Sequence, residues 1–196
     1  MEYRLSTPIR EEDVRKLRAG DVVYLTGTVV TARDAAHRRI LEWLKEGKPL
    51  PVDLKDGALY HCGPVVRKVG ETWEVVAAGP TTSTRMEPYE AEVIEKLGVR
   101  IIIGKGGMGA KTREACQKFG AVYAAFTGGA GALAAKAIKE VLGVHWLDLG
   151  VPEALWVFRV EEFGPLLVVT DSHGRDLLEE VKEKVRKKKE EMLSRI

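Results

Sequence analysis

The hydrophobic residues of the chain fall into two kinds of segment, which predict its secondary structure. Short apolar runs rich in β-branched residues predict buried strands, and longer segments with apolar positions three or four residues apart predict helices with one apolar face. The predicted strands cover residues 21–30, 58–61, 73–78, 99–103, 121–126, 144–149, 155–160 and 165–170. The predicted helices cover residues 34–46, 86–97, 129–142 and about 174–193.

The order of these elements indicates the fold class. Helices separate several of the strands, which is typical of α/β proteins with helices on the faces of a central sheet. Between residues 144 and 170 the strands follow one another without a helix, so we expect an antiparallel extension or a second small sheet. No repeat or long linker divides the sequence. We therefore expect one domain over residues 1–196, with the terminal helix on its surface.

Composition and charge narrow the class of protein. Apolar residues make up 45% and charged residues 31%, as in ordinary globular chains. The 31 basic and 29 acidic residues give a net charge of +2, too balanced for nucleic acid to be the main partner. The sequence has no apolar run of about 18 residues, and its N-terminus lacks the apolar region of a secretory signal. We therefore expect no membrane span and a cytoplasmic location.

The metal-ligating residue types are sparse. Cys62 and Cys116 are the two cysteines, they form no CxxC motif, and we expect buried thiols rather than a disulfide. Two cysteines cannot by themselves hold a four-cysteine zinc site or an iron–sulfur cluster. The four histidines show no HxxxH or HExxH spacing. A metal site made by this chain alone is not expected.

The glycine-rich stretch "IIIGKGGMGAKT", residues 101–112, resembles a nucleotide-binding P-loop. In a P-loop the lysine directly follows the second of two correctly spaced glycines. Here Ala110 stands at that position and Lys111 comes one residue late, which rotates its side chain by about 100° near a helix start. The motif therefore disfavours a nucleoside triphosphate. It leaves either a structural turn or an anion-binding loop that carries Lys105 beyond a strand end.

Three polar clusters each follow a predicted strand: "TARDAAHRR" at 31–39, "GPTTSTRME" at 79–87, and the "GKGGMG" loop. Ligand sites in open α/β sheets lie outside the carboxyl ends of the strands. If these three ends lie side by side, Arg33, Arg85 and Lys105 form one cationic pocket.

The second cluster is the most informative of the three. Four consecutive hydroxyl residues, 81–84, precede Arg85 and a predicted helix. One helix cap needs one hydroxyl, so the cluster exceeds that need. Free amides, the positive end of a helix and a guanidinium together favour a carboxylate or phosphate ligand. In the first cluster, Asp34 can cap the following helix, and Arg33 is the better ligand candidate.

Taken in chain order, "GTVVTARDAAHRR", "YHCGPVV", "GPTTSTRME" and "IIIGKGGMG" resemble the β subunit of class I, iron–sulfur-dependent fumarate hydratases and L(+)-tartrate dehydratases. The likeness extends from "STPI" at 6–9 to "EFGPLLVVTDSHG" at 162–174. It implies a swivelling β/β/α domain, in agreement with the α/β pattern.

The resemblance also implies a division of labour. In this family the [4Fe–4S] cluster and its cysteines belong to the α subunit, so this chain would hold no metal and act only with that partner, in an α2β2 assembly. The substrate would be a small dicarboxylate. Thr81 matches the threonine proposed as catalytic base, and four residues match substrate-binding positions: Arg33, Thr82, Arg85 and Lys105.

The expected function is therefore that of the β subunit of a fumarate hydratase, which hydrates fumarate reversibly to L-malate. A close alternative is the β subunit of L(+)-tartrate dehydratase, which converts tartrate to oxaloacetate. A third hypothesis is that the chain belongs to a different class of protein and is an anion-binding domain without catalytic activity. The motifs are compatible with both hydro-lyases.

Overall fold

The computed structural model describes residues 1–194, which form nine strands and six α-helices. The strands are β1 (Glu2–Ser6), β2 (Val22–Thr31), β3 (Ala58–Tyr60), β4 (Val65–Val69), β5 (Thr72–Ala77), β6 (Ile101–Gly104), β7 (Val122–Ala125), β8 (Ile138–His145) and β9 (Leu155–Thr170). The helices are α1 (Glu11–Val14), α2 (Asp34–Lys45), α3 (Glu87–Leu97), α4 (Ala110–Phe119), α5 (Gly131–Ala137) and α6 (Leu177–Leu193).

Seven strands form the main sheet in the order β1-β2-β3-β6-β7-β9-β8, and β4 and β5 form a separate two-stranded sheet. Strands β1, β2, β3, β6 and β7 pair in parallel. Strand β9 runs antiparallel to β7 and β8, and it also pairs with β2. The pairings of β2, β3, β6, β7 and β9 therefore close into a ring.

Residues on the central strands alternate between two hydrophobic cores. Ile101 and Ile103 share one core with Tyr60, whereas Ile102 belongs to the other with Leu59. Successive side chains of a strand point to opposite faces, so a strand covered on both faces is apolar throughout. The first core includes all five strands of the ring and is covered by β4, β5 and α5, and the second lies beneath α2, α3 and α4. These layers are a β/β/α arrangement, and the predicted α/β class is confirmed.

Helical connections between parallel strands bring several strand ends to one edge of the sheet. Helix α2 lies between β2 and β3, α3 precedes β6, and α4 connects β6 to β7. Helices α3 and α4 both end at a left-handed glycine, Gly98 at φ 64° and Gly120 at φ 70°. The carboxyl ends of β2, β3 and β6 are consequently neighbours.

The predicted strands 155–160 and 165–170 are one continuous strand, β9. The polar pair Glu161–Glu162 and the pair Gly164–Pro165 lie in or beside the gap between the two predicted segments. In the structure the pairing of β9 with β2 shifts register between Val160 and Phe163, and this irregularity accommodates the extra residues. The expected antiparallel extension of the sheet is confirmed in β8 and β9.

The predicted helix over 129–142 is wrong beyond Ala137, and the predicted strand over 144–149 begins too late. Strand β8 starts at Ile138 and pairs with β9, and residues 147–149 form a 3-10 turn. Alanine, lysine and glutamate in this segment favour a helix, but pairing with β9 outweighs that local preference. Four elements were not predicted: β1, β4, α1 and α4.

The C-terminal helix is confirmed, although it begins at Leu177 rather than near 174. The side chain of Asp176 caps it by accepting hydrogen bonds from two backbone amides. Leu177 packs against the second core, beneath α2, α3 and α4, whereas Val181 and Val185 are 55% and 61% exposed. The predicted surface helix is therefore confirmed, and it packs against this core at its start. Within residues 1–194, no helix combines the length and the apolar character needed to cross a bilayer.

Candidate functional site

The loop of residues 79–85, here called the hydroxyl loop, joins the ends of two neighbouring strands. The backbone N–H of Thr81 donates to the carbonyl of His61, just after β3, at 2.7 Å. The carbonyl of Thr81 accepts from the N–H of Lys105, just after β6, at 3.2 Å. The N–H of Ser83 donates to the carbonyl of Lys105 at 3.0 Å. Although β5 belongs to the small sheet, the hydroxyl loop therefore reaches the edge of the main sheet.

Lys105 is exposed at this edge beside Thr82, with which it forms an isolated parallel bridge. Gly128 leaves room for the lysine, because a Cβ at that position would lie 2.7 Å from Cδ of Lys105. In the described residues, 1–194, Lys105 takes part in no ion pair. Its charge is available to a ligand.

Arg85 is paired within the chain. Its Nε donates to one carboxylate oxygen of Asp34 at 3.0 Å, and its Nη2 lies 2.9 Å from the other oxygen, which is an ion-pair contact without a second hydrogen bond. The pair links the hydroxyl loop to the start of α2, and the Arg85 side chain remains 51% exposed. The expectation that Asp34 caps α2 is wrong, since no side chain caps that helix at its N-cap residue and Asp34 faces Arg85 instead.

Arg33 is held by Glu153, a residue that the sequence analysis did not identify. The Nε of Arg33 lies 3.1 Å from Oε1 of Glu153, and the N–H of Ala35 donates to Oε2 at 2.9 Å. Gly63 provides space for the arginine, because a Cβ there would lie 2.7 Å from Nη1 of Arg33. Glu153 thus forms an ion pair with Arg33 and accepts a hydrogen bond from a backbone N–H in the first turn of α2.

The hydroxyl residues do not act as helix caps. No side chain caps the 3-10 turn Ser83–Met86 or the start of α3. Thr81 is partly buried and Thr82 is exposed, whereas Ser83 is fully buried. Among the hydrogen bonds of residues 1–194, none involves the Thr81 hydroxyl, so that group is free to meet a ligand.

The start of α4, where a P-loop would hold phosphate, is occupied by a side chain of the chain itself. The carboxylate of Glu87 accepts from the N–H of Gly109 at 2.6 Å, and from the N–H and hydroxyl of Thr112 at 3.3 and 2.6 Å. Lys111 lines a separate groove beside Glu114. This geometry agrees with the sequence in disfavouring a nucleoside triphosphate at this place.

The two cysteines are free and buried, as predicted. They belong to different cores: Cys62 to the first, among the strands of the ring, and Cys116 to the second, beneath α2, α3 and α4. Burial raises the pKa of the Cys62 thiol to about 12 and also raises the pKa of Cys116. Iron–sulfur clusters are held by several thiolates, so the residues of this chain do not fit such a cluster.

The edge of the main sheet formed by Arg33, Thr81, Thr82, Arg85 and Lys105, here called the open edge, presents two arginines in ion pairs and, within residues 1–194, a lysine without an ion pair and a hydroxyl without a hydrogen bond. These groups make an α/β domain suited to binding a small anion. The chain belongs to the fumarase C-terminus family, whose model matches residues 1–181. The predicted family is thereby confirmed.

Three relatives illustrate the range of this family. The chain is 54% identical over 182 residues to the L(+)-tartrate dehydratase subunit beta of Escherichia coli (strain K12), covering 93% of this chain and 89% of that protein. It is 45% identical over 194 residues to a putative L(+)-tartrate dehydratase subunit beta of Methanocaldococcus jannaschii, covering 98% and 99%. It is 46% identical over 178 residues to a putative fumarate hydratase class I of Geobacillus stearothermophilus, covering 90% of this chain but 34% of that protein.

Proposed function

We propose that the chain is the β subunit of a hydro-lyase that hydrates fumarate reversibly to L-malate and acts only together with an α subunit. The observation that carries this proposal is the open edge, defined by Arg33, Thr81, Thr82, Arg85 and Lys105, in a chain of the fumarase C-terminus family. The family name and the fumarate hydratase relative from Geobacillus stearothermophilus support fumarate as the substrate.

The three cations suit a dicarboxylate. Removal of a proton next to a carboxylate builds up negative charge on that group, and fixed cations there stabilise the transition state. Pairing with Glu153 and Asp34 orients Arg33 and Arg85 before a ligand arrives and reduces the repulsion among the three positive groups. Lys105 meets the substrate carboxylate directly, because its charge has no partner in residues 1–194.

We assign proton transfer to Thr81, with Thr82 beside it as a contact to the substrate. A neutral hydroxyl is a weak base, so Thr81 acts either as a relay or through a pKa that the cations at the edge lower. Its hydroxyl is free of internal hydrogen bonds in the described residues, which supports this role.

The partner follows from what this chain lacks. The cysteines of this chain do not suit a cluster, so we assign a [4Fe–4S] cluster to the α subunit, where it supplies an open iron as Lewis acid. The designation of two relatives as subunit beta supports such a partner, and the unmatched part of the Geobacillus protein leaves room for an α-like half. We further propose a cytoplasmic α2β2 enzyme.

A second candidate is the dehydration of L(+)-tartrate to oxaloacetate. One observation favours it: the Escherichia coli and Methanocaldococcus relatives, which match over nearly their whole length, carry that name. Both substrates are four-carbon dicarboxylates, so the same cations serve either reaction.

The test is to purify the chain with the α subunit of its own genome and to reconstitute the pair anaerobically with iron and sulfide. We expect the pair to hydrate fumarate with a higher kcat/KM than it dehydrates L(+)-tartrate, and the chain alone to be inactive and free of iron. Hydration by the chain alone would refute the two-subunit proposal. A higher kcat/KM on tartrate would select the second candidate, and no turnover of either substrate would refute the hydro-lyase function.

A further inference from the structure

Three ionisable side chains are completely buried beneath the open edge, and none of them has a role in the proposed reaction. They are His37 on α2, His61 just after β3 and Glu90 on α3, each 0% exposed. Oxygen Oε2 of Glu90 lies 2.7 Å from Nε2 of His61 and 3.1 Å from Nε2 of His37. Burying ionisable groups is unfavourable unless they are paired. Here the pairing is made by one oxygen, Oε2 of Glu90, which lies within hydrogen-bonding distance of both imidazoles.

The other nitrogen of each imidazole contacts a loop of the open edge. Nδ1 of His37 donates to the carbonyl of Arg33 at 2.8 Å. Nδ1 of His61 lies 2.9 Å from the hydroxyl of Ser83, and the same hydroxyl oxygen accepts from the N–H of Lys105 at 3.1 Å. Two hydrogen bonds connect Glu90 through His37 to Arg33, and two connect it through His61 to Ser83 of the hydroxyl loop. A third bond on the His61 side, from the N–H of Lys105 to Ser83, extends the connection to Lys105.

The hydrogen-bond partners determine where the protons lie. A carbonyl and a carboxylate can only accept, so His37 donates from both nitrogens and is an imidazolium. His61 donates to Glu90 from Nε2. A second imidazolium there would place two buried cations against one carboxylate, so Nδ1 of His61 accepts from the Ser83 hydroxyl and the ring is neutral.

The pKa shifts agree with this assignment. Burial alone would raise the pKa of Glu90, but the two histidines outweigh it and hold the pKa at about 2. Burial lowers the pKa of His61. For His37, burial acts in the same direction but attraction to Glu90 outweighs it, so the pKa is raised.

The spacing fits hydrogen bonds better than a metal site. Two histidines and a glutamate are also a common zinc ligand set, and their ligating atoms are mutually close here. Ligands around a tetrahedral zinc ion, with bonds of about 2.0–2.1 Å, stand about 3.3 Å apart. The distances of 2.7 and 3.1 Å are instead those of hydrogen bonds that hold a proton between the two atoms.

We propose that Glu90 is a positioning residue, which through an imidazolium at His37 and a neutral imidazole at His61 fixes Arg33, the hydroxyl loop and Lys105 relative to one another. The effect on turnover rests on the proposed function. The proton assignment does not, because it concerns the chain by itself.

The first experiment is ¹⁵N NMR of the full-length chain labelled at histidine, near pH 7, with His37→Asn and His61→Asn variants for assignment. We expect both ring nitrogens of His37 to carry a proton and His61 to be protonated at Nε2 only. Two neutral rings, two imidazolium rings or one equivalent of bound zinc by elemental analysis would overturn the proposal. This result stands whether or not the α/β pair proves to be a hydro-lyase.

The second experiment compares E90Q with E87Q in the reconstituted pair. Glu87 lies one helical turn before Glu90 on α3 and stabilises the start of α4 instead, so E87Q is the matched control. Misplacing groups at a site by about 1 Å can lower a rate about 100-fold, so we expect E90Q to lower kcat about 10- to 100-fold with little change in KM. E87Q should keep kcat within about two-fold.

An E90Q pair with normal kcat, or one whose loss matches its unfolded fraction by circular dichroism, would overturn the proposal. If E90Q does not fold, S83A takes its place, because it removes the link between His61 and Lys105, together with the hydrogen bond that Ser83 accepts from the Tyr123 hydroxyl, and should lower kcat about 10-fold. Unchanged kcat in S83A would equally overturn the proposal.

Discussion

Two regions of the molecule have the components of an anion site, and they differ in what occupies them. At the start of α4, backbone amides and the Thr112 hydroxyl surround the carboxylate of Glu87. At the open edge, Asp34 and Glu153 pair with the two arginines, but Lys105 and the Thr81 hydroxyl have no partner in residues 1–194. A glycine-rich loop before a helix thus indicates backbone N–H groups that can bind an anion. Whether a side chain of the same chain already accepts their hydrogen bonds depends on the fold.

The largest expected effect is at Arg85. Replacing it by alanine removes the charged donor that we propose for the substrate, and hydrogen bonds to charged groups are worth about 1.5–3 kcal/mol. We expect Arg85→Ala to lower kcat/KM of the α/β pair on L-malate by about 10- to 150-fold. Arg38→Ala, which changes an exposed arginine on α2 outside the edge, is the control and should leave kcat/KM unchanged. Equal losses in both variants would contradict the assignment.

Arg85→Lys should recover only part of this loss. Lysine keeps the positive charge but lacks the planar guanidinium, whose Nε and Nη2 face the two carboxylate oxygens of Asp34. We expect kcat/KM between the values of wild type and Arg85→Ala. Full recovery would show that charge alone matters and that the planar guanidinium does not.

In contrast to the Arg85 variants, Glu87→Gln should lower the stability of the chain and leave turnover unchanged. The amide keeps one acceptor but loses the charge that favours the positive end of α4. By analogy with the loss of a helix cap, we expect the free energy of unfolding to fall by about 0.5–2 kcal/mol in urea titrations of the chain. A large loss of kcat/KM in a variant of wild-type stability would place this region in the site.

The smallest effect is expected for Lys111→Ala. Lys111 lies in a groove beside Glu114, away from the open edge, and matters only if the glycine-rich loop binds a nucleotide. We expect kcat/KM on L-malate to stay within about two-fold of wild type. Isothermal titration with ATP should detect no binding in either protein, and ATP binding that disappears in this variant would support the P-loop interpretation.

The sequence predicted the elements that are buried on both faces. Strand β6 is a continuous apolar run, so it can be predicted from its own residues without knowledge of the neighbouring strands. Strand β1 alternates between exposed and half-buried positions, and its pairing with β2 alone makes it a strand, so it was missed. Strand β8 has the residues of a helix and pairs with β9, which a local pattern does not reveal.

The open edge could be predicted in part, for a related reason. Arg33, Arg85 and Lys105 each follow an apolar run, so the rule on strand ends brings them together without knowledge of the fold. Their carboxylate partners are distant in sequence. Glu153, which pairs with Arg33, follows Ala35 by 118 residues, and Asp34 is 51 residues from its partner Arg85. Glu90 pairs with the two buried histidines rather than with a cation of the edge, and it is 29 residues from His61. No local spacing marks these pairs. The roles of the edge residues stay predictions, as does the single domain over residues 1–196.

The most direct test of the central claim, that the open edge and not the start of α4 receives the anion, is kcat/KM on L-malate for Lys105→Ala in the reconstituted α/β pair. Among the three cations of the open edge, Lys105 is the one without an ion pair in residues 1–194. We predict a loss of about 10- to 150-fold, from the worth of a charged hydrogen bond, in a protein of unchanged thermal stability. Malate turnover unaffected by the loss of Lys105 would contradict it.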